Sequence, residues 1–327
     1  MRAPEFWHKP GSPLAGLLAP LGLAYDAAGR VRRALIAPVR VERPIVCVGN
    51  VTVGGAGKTP IVLALARWLE ARGLKPHLLT RGYGGSAAGP LKLDAQRHGV
   101  AEVGDEALLL AEAAPTWLAH DRVEGARAAI RDGAELVIMD DGFQNPGLAK
   151  DLALLAIDGE YGFGNGHVLP AGPLREPLGA ALARAQGAVL VGVDKQGLGA
   201  SLARRVPVLE AELVPDEAAR AALQGKRVLA FAGIGRPEKF FATLEGISCT
   251  LVRRVAFPDH HVFARAELVR LLADAEAQEA IPVTTAKDFV RIAPDLRAPI
   301  AVLPVTLVFR DEDALAALLN PLLARHG

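Results

Sequence analysis

A layered α/β fold, a mostly parallel sheet flanked by helices, is predicted by three observations. Apolar runs alternate with stretches of helical period along most of the chain. Those runs are continuously apolar, the signature of strands buried on both faces. A glycine-rich turn, Thr52-Val-Gly-Gly-Ala-Gly-Lys-Thr59, separates the apolar run Ile45-Val-Cys-Val48 from the apolar-periodic stretch Ile61 to Leu69, which is the order strand, phosphate loop, helix. The core is therefore P-loop NTPase-like.

Residues 1–40 precede that core as a separate helical segment. Gly11 to Tyr25 carries no charge, and Arg30, Arg32, Arg33 and Arg40 follow it. The uncharged run has 15 residues, interrupted by Pro13, Pro20 and Gly22. That is short of the ~20 needed to span a bilayer. A cleaved export signal is at odds with a nucleotide loop that starts at Thr52. Two readings stand. One is a membrane-interface helix, apolar side in lipid and arginines near anionic headgroups, which the basic cluster favours. The other is a helix packed on the protein's own core.

Residues 41–225 are assigned to the P-loop core. Gly54, Gly55 and Gly57 let backbone N–H groups turn toward a polyphosphate, with Val53 and Ala56 between them and the strand and helix on either side. Lys58 adds a mobile positive charge, and Thr59 offers a hydroxyl to Mg²⁺. The generic G-x-x-x-x-G-K-[ST] pattern has glycine where this chain has Thr52. Pro76 to Thr80, Glu135 to Met139, Leu152 to Ile157 and Ala188 to Val191 read as further buried strands. From about Gly225 a second series begins, with Arg227 to Phe231, Thr250 to Val252, Ile281 to Thr284 and Ile300 to Leu303. It predicts a smaller C-terminal α/β domain over 226–327.

Composition agrees with this layering. The 327 residues suggest about two domains at a typical ~100–200 residues each. With 51% hydrophobic and only 5% aromatic residues, the core is expected to be aliphatic. A net charge of +1 gives no general polyanion signal, so no nucleic-acid partner is expected. Cys47 and Cys249 have no metal-ligand spacing and read as buried thiols.

Leu136-Val-Ile-Met-Asp-Asp141 is the second chemical motif, an apolar strand that ends in acids and so presents carboxylate at the phosphate site. Asp140 is the Mg²⁺ candidate. Asp141 and Gln144 are candidates to complete the metal shell or orient the attacking group; a turn or helix cap is the simpler reading of both. Asp105, in Gly104-Asp-Glu106 just before the helical run Ala107 to Ala113, is the candidate base, with an ordinary N-cap as its alternative. Three loops also stand out: Arg81 to Gly85, Gly164 to Pro177, and Phe257-Pro-Asp-His-His261. Adjacent His260 and His261 do not aim both rings at one ion from regular structure, so a zinc site is rejected.

Together these segments resemble the tetraacyldisaccharide 4′-kinase family, the lipid A 4′-kinases, over nearly the whole chain. The resemblance is carried by Val48 to Pro60, Thr80 to Gly85, Gly104 to Glu106, Asp140 to Gln144, Leu169 to Pro177 and Phe257 to His260. The family also has Thr or Ser where the generic loop has its first glycine, which turns the Thr52 departure into support. Thr285-Ala-Lys-Asp288 stands where the family usually shows Thr-Glu-Lys-Asp. The resemblance implies transfer of the ATP γ-phosphoryl to the 4′-hydroxyl of a tetraacyldisaccharide 1-phosphate, with Mg²⁺, by a peripheral enzyme at the cytoplasmic face of the inner membrane and with no protein partner. It implies that residues 52–59 hold the nucleotide, that Arg175 and Glu176 contact nucleotide or substrate phosphate, and that Asp105 paired with His260 activates the hydroxyl.

Two rival classes remain from the residues alone, a GTP-hydrolysing switch and a membrane-peripheral ATPase that serves a protein partner or delivers a metal. Lys287-Asp288 lacks the spacing of a guanine-reading Asn/Thr-Lys-x-Asp element, and no cysteine pair is available for metal delivery.

Overall fold

The computed structural model describes residues 4–324. The first three residues of the predicted 1–40 segment and the last three of the predicted 226–327 domain lie outside the described residues. In chain order, β1 (Ile45–Gly49), β2 (Pro76–Thr80), β3 (Leu91–Lys92), β4 (Thr116–Leu118), β5 (Leu136–Asp140), β6 (Leu152–Asp158), β7 (Gly187–Val191) and β8 (Val208–Pro215) belong to a first sheet. A second sheet holds β9 (Arg227–Ala232), β10 (Thr250–Ala256), β11 (Ile281–Thr284) and β12 (Ala301–Val302). The final strand, β13 (Val305–Phe309), returns to the first.

The first sheet runs β13-β8-β7-β6-β1-β5-β2-β4-β3. Its seven inner strands are parallel, and the two edge strands are antiparallel to their neighbours. All five residues of β1 are buried, because Val46 and Val48 face one helical layer while Ile45 and Cys47 face the other. The register places Val48 level with Asp140. The phosphate loop and the acidic strand end therefore emerge side by side at the carboxyl edge, where parallel sheets bind ligands. The second sheet is wholly parallel, in the order β10-β9-β11-β12, with its own core around Phe231, Phe241, Leu244 and Leu271.

The predicted 226–327 domain departs from this architecture at its end. After β12, β13 pairs with β8, and the helix Glu312–Leu323 buries Leu315, Leu319 and Leu322 in the same core as Leu65 and Leu69 of the phosphate-loop helix. The second sheet is thus an insertion between two strands of the first. Its core also takes Leu223 from the helix Glu217–Leu223, ahead of the predicted boundary.

The N-terminal helix, Pro13–Leu35, is buried at a few positions and exposed elsewhere. Ala15, Gly22 and Asp26 are buried, and a Cβ on Gly22 would stand 2.9 Å from the Val168 carbonyl oxygen. Leu14, Leu17, Leu21, Leu23, Val31 and Leu35 remain exposed. No helix among the described residues is long and apolar enough to cross a membrane. Both cysteines are buried free thiols, and burial pushes Cys47 up to about 12.

Candidate active site

The phosphate loop is shaped from behind by Asn50. This buried amide donates to the Thr52 carbonyl oxygen (2.7 Å) and the Gly54 carbonyl oxygen (3.3 Å), drawing both carbonyls inward. Gly57 closes the loop with φ +78° as it caps the helix Lys58–Glu70, a conformation that favours glycine. Nothing stands within 4 Å of a Cβ on Gly54 or Gly55, so the glycines border open space. Thr52 bridges to Leu174, and the Val53 N–H donates to the Pro173 carbonyl oxygen (2.8 Å). Residues 52 and 53 are thereby zipped to the 164–177 loop, and the Val53 amide is engaged there; Ala56 packs into the core.

Lys58 and Thr59 open the helix beside the two acids. Thr59 Oγ1 lies 3.5 Å from Asp140 Oδ2, and Lys58 Nζ lies 3.6 Å from Asp141 Oδ2. Asp141 holds a left-handed backbone, φ +48°, tolerated best by Asp and Asn among non-glycine residues. Arg175 donates to Asp141 Oδ1 (3.0 Å) and to Gln144 Oε1 (3.3 Å). Burial pushes the Asp141 carboxyl up, but Lys58 and Arg175 outweigh it and hold it below its ordinary value. Asp140 goes the other way: burial, reinforced by the nearby Glu106 charge, raises it to about 7.

Glu176 corrects the expectation of a nucleotide contact. It is 1% exposed, ion-paired with Arg184 and, at 3.7 Å, with Arg33 of the N-terminal helix. It also accepts from Gln144 Nε2 (3.2 Å), which in turn donates to the Asn50 carbonyl oxygen (2.9 Å). A carboxylate so enclosed supports Gln144 from below instead of meeting phosphate. Glu176→Ala is expected to lower stability by about 1–3 kcal/mol through the unpaired groups it leaves; chemical denaturation of the purified variant measures it.

The base candidates come from opposite sheets. Gly104, φ +87°, brings its backbone against Tyr83, where a Cβ would stand 2.3 Å from the carbonyl oxygen, and so sets the start of the helix Asp105–Ala113. From the second sheet, the loop after β10 carries His260, itself in a left-handed conformation with φ +57°. His260 Nδ1 lies 3.0 Å from Asp105 Oδ2 and 3.2 Å from Oδ1. The Lys287 ammonium, which only donates, stands 3.4 Å from His260 Nε2. Asp259 Oδ2 lies 3.8 Å from the same Nε2, and Nδ1–H donates to the Asp105 carboxylate. His261 turns away to Glu267 Oε2 (2.9 Å).

Asp105 is more enclosed than a lone base would be, at 3% exposed against 32% for the His260 side chain. The imidazole is the face this pair presents to solvent. Burial pushes the Asp105 carboxyl up, but the His260 hydrogen bond and the charges of Lys287 and Arg291 hold it below its ordinary value. The two sheets meet elsewhere too: Lys287 Nζ pairs with Glu106 at 2.9 Å, and a Cβ on Gly235 would stand 3.4 Å from the Gly55 nitrogen.

Four residues at this crevice escaped the sequence reading. Asn50 hides as the residue after a strand, while Lys287 and Arg291 belong to a segment whose partners lie on the other sheet. Arg122 carried a signal, because a cation in the first turn of a helix opposes the macrodipole. It is buried, and desolvation with Arg81 nearby lowers it to about 10, while Asp140 and Asp141 pull it up.

A phosphate loop at the centre of a mostly parallel sheet, acids level with it and a His–Asp pair across the crevice define a P-loop phosphotransferase. The comparisons with known proteins narrow the class. The profile of the family described as tetraacyldisaccharide-1-P 4′-kinase, LpxK, matches residues 14–324, and the chain belongs to that family. It is 53% identical over 328 residues to the tetraacyldisaccharide 4′-kinase of Rhodospirillum centenum, covering 99% of this chain and 97% of that one. The enzyme of the same name from Paramagnetospirillum magneticum is 55% identical, covering 100% and 99%. A crystal structure of LpxK from Aquifex aeolicus, an apo form in complex with ATP, superposes with a TM-score of 0.75 at 25% identity, covering 94% of this chain and 99% of that one.

Proposed function

We propose that this chain transfers the γ-phosphoryl group of ATP to the 4′-hydroxyl of a tetraacyldisaccharide 1-phosphate. The observation that carries the reading is the Asp105–His260 contact formed across the crevice from the phosphate loop. Family membership and the ATP held by the Aquifex relative supply the substrates; they also set aside the switch and metal-delivery readings.

The residues present fit Mg²⁺. Asp140 Oδ1 is buried without a hydrogen-bond partner, and the neighbouring donors, Asp140 and Thr59, are the hard oxygens this ion takes, usually one or two per site beside phosphate oxygens. When bound, the ion neutralises charge on the transferring phosphoryl group. Lys58 places a second positive charge at the helix start. Arg175 holds Asp141 and Gln144 in position, and the Asp105–His260 pair accepts the hydroxyl proton as the oxygen attacks. Such a transfer needs mainly positioning and charge neutralisation. Incubation with γ-labelled ATP and the lipid disaccharide is expected to label the 4′-oxygen. Label released as free phosphate at the same rate with and without the lipid would overturn the reading.

The exposed leucines of the N-terminal helix support a peripheral place on the inner membrane, where an acylated substrate resides. Arg32 stands on the same exposed helix. Leu17→Asp with Leu21→Asp is expected to weaken sedimentation with anionic vesicles at least tenfold, since each buried leucine contributes roughly 1.5–3 kcal/mol. Raised salt should weaken wild-type binding more modestly. Undiminished binding by the double variant would move the attachment surface elsewhere.

A further inference from the structure

We propose that Arg291 is a positioning residue that assembles the Asp105–His260 pair, linking it to the meeting of the two sheets. The inference rests on the reading of that pair as the proton acceptor. Arg291 follows the short helix Ala286–Phe289, and its side chain is 2% exposed. Its Nε lies 3.1 Å from Asp105 Oδ2 and donates to the Lys287 carbonyl oxygen (3.2 Å). One terminal nitrogen donates to the Gly233 carbonyl oxygen (3.2 Å) and the His261 carbonyl oxygen (3.0 Å). The other donates to Gly233 (3.1 Å) and pairs with Asp288 Oδ1 at 3.1 Å.

This pattern is more specific than a structural lock needs. Asp288, fully buried and held by the Gly233 N–H (2.9 Å) and the Thr285 hydroxyl (2.6 Å), already balances the guanidinium within the second sheet's own unit. The Nε–H is taken by the Lys287 carbonyl oxygen, and the charge of the same nitrogen crosses to the first sheet as an ion pair with Asp105 Oδ2, the oxygen nearest His260 Nδ1. The other end of the pair is held as well. The His260 N–H donates to the same Gly233 carbonyl oxygen (3.1 Å), and Arg291 grips the carbonyl of the next residue, His261. The guanidinium thus sets its charge 3.1 Å from the carboxylate while its forked donors fix the left-handed backbone that aims the imidazole. A fork with donors in fixed geometry does this where a single ammonium does not.

The charged groups around Asp105 are His260, Arg291 and Lys287, with Glu106, Asp259 and Asp288 beyond them. Removing the Arg291 cation favours the proton-bound form of the pair. Its pKa then rises, and the acidic limb of the kcat–pH profile moves to higher pH.

The test compares Arg291→Gln, Arg291→Lys and Asp105→Asn in the full chain, with thermal melting of each. Arg291→Gln is expected to shift the acidic limb upward by about one unit. At neutral pH its kcat falls ~10–10²-fold through misplacement, while KM for ATP stays near native. Arg291→Lys keeps the charge, so its limb stays in place while kcat still falls; this variant decides the matter if Arg291→Gln does not fold. Native kcat in Asp105→Asn overturns the underlying reading of the pair. Collapse of kcat in Asp105→Asn, with native kcat and an unmoved limb in Arg291→Gln or native kcat in Arg291→Lys, overturns the proposal alone.

Discussion

Asp105→Asn and His260→Ala are each expected to lower turnover ~10²–10⁴-fold, the usual scale of general-base help, with ATP binding close to native. Asparagine is the better probe at position 105, since it keeps the volume between Arg291 and Lys287 and removes only the charge. Both side chains serve one proton-transfer step, so the double variant should be little worse than the poorer single one. Single-turnover rates at saturating ATP make the comparison. Losses that multiply would mean independent roles, and an ATP-affinity defect large enough to explain them would place both residues in nucleotide binding.

Lys58→Ala is expected to cost ~10²–10³-fold in turnover, the scale seen when one charge-stabilising donor is removed. Its distance of 3.6 Å to Asp141 adds a second effect. Without Lys58, Asp141 is left with Arg175 as its close cation, and KM for ATP should rise together with the fall in kcat. Full activity in this variant would remove the phosphate loop from the chemistry.

The loop, its strand and its helix were legible because everything that specifies them is contiguous: 45–49 is apolar on both faces, 54–57 is glycine-rich, and 58–70 is helix-periodic. The acidic end of β5 was legible for the same reason. What escaped is what depends on distant partners. β8 and β13 pair at the sheet edge with half-exposed residues, so neither presents a continuous apolar run. Glu176 was assigned with Arg175 because they are neighbours, yet the chain bends at both residues, with the Arg175 N–H on the Val51 carbonyl oxygen. Arg175 meets Asp141 while Glu176 meets Arg184, and only Gln144 touches both. Arg291 was illegible because its meaning lies in Asp105, on the other sheet.

The return of β13 to β8 also sets an order of events during synthesis. Val305 follows Pro215 by 90 residues, which a ribosome adds in roughly 5–20 s at ~5–20 residues per second. Throughout that interval β8 is a bare edge, offering unpaired N–H and C=O groups to any other nascent strand. The core that holds Leu65 and Leu69, on the phosphate-loop helix, meanwhile lacks the Leu315, Leu319 and Leu322 that complete it in the finished protein. The nucleotide-binding half, although begun first, is therefore the half exposed longest to misassembly, and production of this protein should depend on chaperone capacity more than its compact inserted unit would suggest.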